Sequence, residues 1–146
     1  MMGRSEGMEL LCFTIERNCF ALPIRSVVKI TPMMAFSPLE SGSEGCLGMV
    51  VLHGRPAYLL DISPRLNLPP RGVDPERMIL FIEDGGPLVG VIVDDIKEIV
   101  RIEREDIVEG ISSKLISALA RVEGEMIPIL NPKAIREMLE DEGECG

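Results

Sequence analysis

The sequence predicts a mostly β chain assembled from one unit used twice and closed by a short helix. Three observations lead there. Short apolar runs rich in Val and Ile (LLCFTI, CFALPI, SVVKI, LGMVVL, AYLLDI, MILFI, LVGVIV, IPIL) recur between Gly, Pro, Asn and Asp, as strands do between turns. Two stretches of the first half resemble two of the second, in the same order. One segment near residue 135 carries helical spacing instead.

The first hairpin is expected in FTIERNCFALPI (13–24), with Arg17-Asn18 in the reversal, and its counterpart in LFIEDGGPLVGVIV (80–93), which turns at Asp84-Gly85-Gly86. All these turn residues suit a tight reversal. A Val/Ile segment follows each, SVVKI (26–30) and IKEIV (96–100). The stretch from Asp95 to Arg101 also satisfies helical spacing through Ile96, Ile99 and Val100, but its place in the repeat favours a strand. Strict alternation is rare along the runs, so many strands are expected to be buried on both faces or closed into barrels.

The second half of the unit aligns without gaps. LHGRPAYLLD (52–61) lies on VEGEMIPILN (122–131) at a constant shift of 70 residues, placing His53-Gly54 on Glu123-Gly124 and Asp61 on Asn131. Asp61 reads as a turn or capping residue. Residues 34–45 form a long loop in the first copy, and 103–114 play the same part in the second. NLPPRGVDPER (67–77), polar and rich in Pro and Gly, reads as a linker between copies. Ser63-Pro64 marks a short turn over 64–66. Asn131 can cap a helix that has Pro132 at its first position and Ile135, Met138 and Leu139 on one face. The predicted domain runs 9–139, with lobe one about 9–66, lobe two about 77–139 and strands open to exchange between them; 140–146 is an acidic tail.

Composition narrows the function. Of the 146 residues 46% are hydrophobic and 27% charged, with one Tyr, four Phe and no Trp, so Val, Ile, Leu and nine Met must fill the core. A net charge of −9 with scattered Lys and Arg disfavours nucleic acid and anionic membranes as partners. No apolar run is long enough to span a bilayer, and MMGRSEGMELL has no signal-peptide core, so a cytoplasmic protein is expected. Cys12, Cys19, Cys46 and Cys145 show no metal or redox spacing and are expected reduced. One histidine, His53, without a flanking nucleophile argues against metal or acyl-transfer chemistry, and Gly85-Gly86 opens no phosphate-binding helix. Paired carboxylates such as Asp94-Asp95 are ordinary in an acidic chain. The expectation is a non-enzyme without metal or cofactor.

Together, CFALPIRSVVKI, the spaced Gly48, Leu52, Gly54 and Asp61, then LVGVIVDDIKEIV and MIPILN before a helix resemble the CheW family over residues 9 to 139. The resemblance implies two intertwined SH3-like five-stranded β-barrels with a short C-terminal helix. It also implies a non-catalytic adaptor, cytoplasmic and associated with membrane receptor arrays through its partners. Those partners are the regulatory domain of a CheA-type histidine kinase and the cytoplasmic tip of a methyl-accepting chemoreceptor, which packs into a groove between the barrels. By position, the partner-binding residues are Ile24, Val27, Lys29, Ile30, Leu52, His53, Gly54, Arg55, Met78 and Gly90. The competing reading is that Ile24, Val27 and Ile30 are core, since such residues are more often interior, and that Gly48, Gly54 and Gly90 serve backbone geometry.

Two positions depart from the family pattern: Lys29 stands where members usually carry Glu, and His53 where they usually carry Arg. Interface charge governs specificity and encounter rate more than affinity, so a paralogue with altered partners is implied. An imidazole in place of a guanidinium would make such a contact weaker and pH-sensitive. Two alternatives stand beside the adaptor: a paralogue that binds receptor or kinase without activating it, and a small carboxylate-dependent β-barrel enzyme.

Overall fold

The computed structural model describes residues 7–38, 45–69 and 74–142. Twelve strands are followed by one helix: β1 Met8–Ile15, β2 Asn18–Pro23, β3 Val27–Pro32, β4 Ser37–Pro38, β5 Cys46–Leu52, β6 Arg55–Leu60, β7 Met78–Ile82, β8 Leu88–Val93, β9 Asp95–Ile102, β10 Ile107–Val108, β11 Ile116–Val122, β12 Glu125–Leu130 and α1 Pro132–Glu142. The ambiguous stretch after Asp95 is a strand. It pairs antiparallel with β1, and helical spacing yields to that ladder.

The strands form two six-stranded sheets, ordered β10-β11-β12-β2-β1-β9 and β3-β7-β8-β6-β5-β4. These are the two SH3-like barrels, each with five longer strands plus a two-residue one, β4 or β10. The orders are the same word written with exchanged halves. The first hairpin, β1-β2, sits in the sheet built by β9 to β12, while the second hairpin, β7-β8, sits in the sheet built by β3 to β6. The joints are the two parallel pairings, β12 with β2 and β6 with β8. Each sheet therefore draws on both copies of the unit.

This exchange explains why so few strands alternate polar and apolar. One face of each hairpin packs into a cluster shared by both sheets, where Leu11, Phe13, Phe20 and Leu22 meet Leu80, Ile82, Val89 and Val91. The other face fills its own barrel: Leu10, Cys12 and Ala21 in one, Ile79, Phe81 and Leu88 in the other. With both faces buried, strands read as continuous apolar runs.

The turns follow local chemistry. Ile15 pairs with Asn18, so Glu16 and Arg17 form the two-residue reversal, one position earlier than expected. Their φ values of 52° and 69° are those of a type I′ turn. Asn18 opens β2 and its amide donates to the carbonyls of Ile15 and Glu16, at 3.3 and 2.9 Å. His53-Gly54 and Glu123-Gly124 make the same turn, with φ of 50° and 80° in one and 50° and 84° in the other. The repeat thus extends to backbone angles.

Asn131 caps α1, its Oδ1 accepting the N–H of Lys133 at 3.0 Å and of Ala134 at 3.4 Å. Ile135, Met138 and Leu139 are buried against the shared cluster. Its counterpart Asp61 accepts the Ser63 N–H at 3.0 Å and starts a single 3-10 turn, Ser63–Leu66.

Two expectations need correction. Arg77, at the end of the segment read as a polar linker, is 1% exposed. Its guanidinium lies 3.0 Å from Asp94 and 3.8 Å from Asp61, and it donates to the Ile92 carbonyl. Charge neutralised by two carboxylates can be buried where a lone charge cannot. Cys12 and Cys19 are free thiols, but Cys46 is disulfide-bonded, against the expectation of four reduced cysteines. That expectation rested on an inferred compartment, and a disulfide depends on which thiols the fold brings together. Cys145, the tip of the acidic tail, residues 39–44 of the first long loop and residues 70–73 of the linker lie outside the described residues.

Candidate partner-binding surface

The expected binding residues fall into three groups. Ile24, Val27 and Met78 are half-buried and pack against the cluster shared by the two sheets, which places them along the seam between the barrels. Ile24 belongs to the 3-10 turn Ile24–Ser26, and Val27 begins β3. Met78 begins β7 opposite Pro32, so Val27 and Met78 stand at opposite ends of the β3–β7 pairing, and Ile24 lies in the turn that leads into β3.

Lys29 and Ile30 project from β3, an edge strand in the sheet order, together with Val28. Val28 is 50% and Ile30 38% exposed, unusual for β-branched side chains in a well-packed sheet. The family resemblance singled out Lys29 and Ile30 in the sequence; the exposure of Val28 beside them carried no sequence signal.

The third group surrounds the β5-β6 hairpin. His53 and Gly54 are exposed at its tip. Arg55, the next residue, makes a two-pronged ion pair with Glu83, Nη1 to Oε1 at 3.2 Å and Nη2 to Oε2 at 2.9 Å. The hydrogen bond and charge of each partner favour the ionised form of the other, holding the Glu83 carboxyl below and the Arg55 guanidinium above its ordinary range. Glu83 in turn donates its backbone N–H to the Ser26 carbonyl at 2.9 Å. Hairpin tip, the β7–β8 loop and the entry to β3 are thereby tied together at one end of the sheet. Glu83 carried no signal in the sequence beyond being one acid among many.

Leu52 and Gly90 are interior. Leu52 is 8% exposed within the second barrel. A Cβ on Gly90 would stand 2.8 Å from Leu59 Cδ2, 2.9 Å from Ile79 Cγ2 and 3.1 Å from Phe81 Cε1. Gly90 is a packing requirement of the core, so it can shape the surface only from beneath.

A cleft of about 510 Å³ is lined by Glu16, Asp74, Glu76, Asp94 and Asp95 with Arg77, and His53 is not among its lining. Asp94 is engaged by Arg77. Among the described residues no group of three His, Cys, Asp or Glu side chains could hold a metal ion, and no helix is long and apolar enough to cross a membrane.

Comparison with known proteins agrees with the architecture. Residues 9–140 match the family described as CheW-like domain. The chain is 26% identical over 127 residues to a protein named chemotaxis protein CheW from Rhizobium meliloti (strain 1021), covering 83% of this chain and 82% of that one. The crystal structure of the scaffolding protein TtCheW from Thermoanaerobacter tengcongensis superposes with a TM-score of 0.77 at 21% identity, covering 85% of this chain and 88% of that one.

Proposed function

The chain belongs to the CheW-like domain family, and on that premise we propose that it is a non-catalytic adaptor joining chemoreceptor tips to a CheA-type histidine kinase in a cytoplasmic signalling array. The observation that carries this reading is the β3 surface. An edge strand presents exposed Val28 and Ile30 beside the half-buried Ile24, Val27 and Met78 at the seam. An apolar strip of this kind suits the apolar face of a helical receptor tip laid in a groove. The tie from Arg55 through Glu83 to Ser26 offers a second, polar end for the kinase regulatory domain.

Lys29 and His53 set which receptor or kinase is accepted. Both are exposed, and neither supplies the charge usual at its position in the family. Co-sedimentation with receptor tips and a CheA-type kinase from the same organism tests the adaptor reading; binding to neither would overturn it. Kinase assays with and without the protein separate an activating adaptor from a paralogue that binds without activating. The double change Lys29→Glu with His53→Arg is expected to restore pull-down of a conventional kinase, and an unchanged pull-down would remove these two positions from the specificity argument.

A further inference from the structure

The two barrels differ at one place where their frameworks coincide. In the first, β2 pairs with β12 through Ala21 and Ile129, and Cys12 lies opposite Ala21. In the second, β8 pairs with β6 through Gly90 and Leu59, and Phe81 lies opposite Gly90. Leu59 and Ile129 are repeat partners, so Cys12 occupies the place of Phe81, and Cys19 that of Leu88. Phe81 and Leu88 are 0% and 2% exposed and fill their barrel. Two thiols are far smaller, and at the corresponding end of the first barrel a cleft of about 400 Å³ is open, with Cys12 and Cys19 in its lining.

The thiols share one face of the β1-β2 hairpin, Cys12 opposite Ala21 and Cys19 opposite Thr14, and both are free. Burial and neighbouring negative charge raise both above the ordinary thiol range, so at neutral pH they are protonated and poor nucleophiles. Such a pair resists alkylation yet still surrenders its protons to a metal ion that binds sulfur strongly. Zinc calls for a third and fourth ligand, and the described residues hold no three-ligand group. Soft thiolates favour Cu(I), zinc and iron–sulfur clusters, and of these only the monovalent ion is satisfied by two sulfurs in line.

We propose that the Cys12–Cys19 pair is a two-coordinate site for a soft monovalent cation of the Cu(I) or Ag(I) class. Binding forms two metal–sulfur bonds and breaks two S–H bonds, releasing two protons to solvent without change of oxidation state. The resulting unit carries one negative charge. Lys97 lines the cleft as its countercharge, while Glu98, Glu123 and Glu125 on the same rim attract cations from solution.

The full chain, purified without thiol reductant and handled anaerobically, is titrated with Cu(I) delivered from a coloured bicinchoninate complex. The expected result is withdrawal of one Cu(I) per chain, protection of Cys12 and Cys19 from alkylation after denaturation, and loss of both in Cys19→Ser with an unchanged circular dichroism spectrum. Cys12→Ser lies deeper, so Cys19→Ala serves as the second variant. Failure to compete with the chelator, undiminished binding in both Cys19 variants, or equal retention of Zn²⁺ would each overturn the site.

Discussion

Arg77 and Asp94 form a polar link between the two sheets, beside the apolar cluster they share. The Arg77 Nε donates to Asp94 Oδ1 at 3.0 Å, while the second oxygen of the same carboxylate accepts the Glu16 N–H at 2.6 Å. Arg77 precedes β7 of one sheet, and Glu16 is in the β1–β2 turn of the other. A single carboxylate thus receives a side chain from one barrel and a backbone donor from its neighbour.

Removing the cation leaves Asp61 buried without its countercharge, at 2% exposure. Arg77→Met is expected to cost about 3–5 kcal/mol, the range for breaking one side of a buried pair. Urea unfolding of the variant measures it, and a loss within error of zero would show that the pair is dispensable.

At Gly90 a methyl group has no room. Gly90→Ala is expected to destabilise by about 1–3 kcal/mol through overpacking against Leu59, Ile79 and Phe81. Partner affinity measured well below the melting temperature should stay near wild type. A selective loss of binding with full stability would return Gly90 to the surface argument.

The hairpin tip separates backbone from recognition. His53 has φ of 50°, a conformation that Asn adopts readily and β-branched residues resist. His53→Asn should keep or raise the melting temperature, whereas His53→Val should lower it. Kinase pull-down that changes with His53→Asn at constant stability would then report recognition alone.

Arg55→Ala and Glu83→Ala break an exposed ion pair. Such pairs contribute little to stability because solvent screens them, so melting temperatures should barely move. If the tie from hairpin to β3 shapes a docking surface, both single variants weaken kinase binding, and the double variant weakens it no further than either alone.

Stability should also fall in alkali. The Cys12 thiol is raised from 9.0 to about 11, first by burial and then by neighbouring charge. Between those values the unfolded chain has lost a proton that the folded chain keeps, so stability declines as pH rises through 9 to 11, by an amount on the order of 2 kcal/mol. Below pH 9 the contribution is fully present. Denaturant midpoints of wild type and Cys12→Ala across this range test it, the variant being expected to show a shallower decline.

The legible parts of this fold were those governed by neighbours in the chain. Turn chemistry, the Asn131 cap and the duplicated Asp61 and Asn131 positions all follow from residues within a few places of one another. The identity of His53-Gly54 and Glu123-Gly124 as one turn could be read from alignment alone, and their φ angles agree. What sequence could not reveal was which copy supplies the partner strand, because both copies offer equivalent edges. Arg77 was hidden for a related reason: its two carboxylates come from Asp61 and Asp94, on either side of it in sequence and brought together only by the sheet. The candidate surface was half legible. The resemblance located β3 and the hairpin tip, yet burial divides those residues into seam, edge and core, and a list of positions carries no burial.

The exchange of hairpins also fixes a timetable for synthesis. A ribosome that has delivered the chain as far as β6 has made part of each barrel and all of neither. The sheet containing β3 to β8 can close once Val93 has emerged, whereas β1 and β2, the first strands made, must wait for β12 at Glu125–Leu130. The earliest apolar hairpin is therefore the longest without its permanent partners, and such strands are exposed to aggregation while they wait. A nascent chain stalled in the nineties would carry one finished barrel and one orphaned hairpin, a form that protease digestion of ribosome-bound chains could display directly.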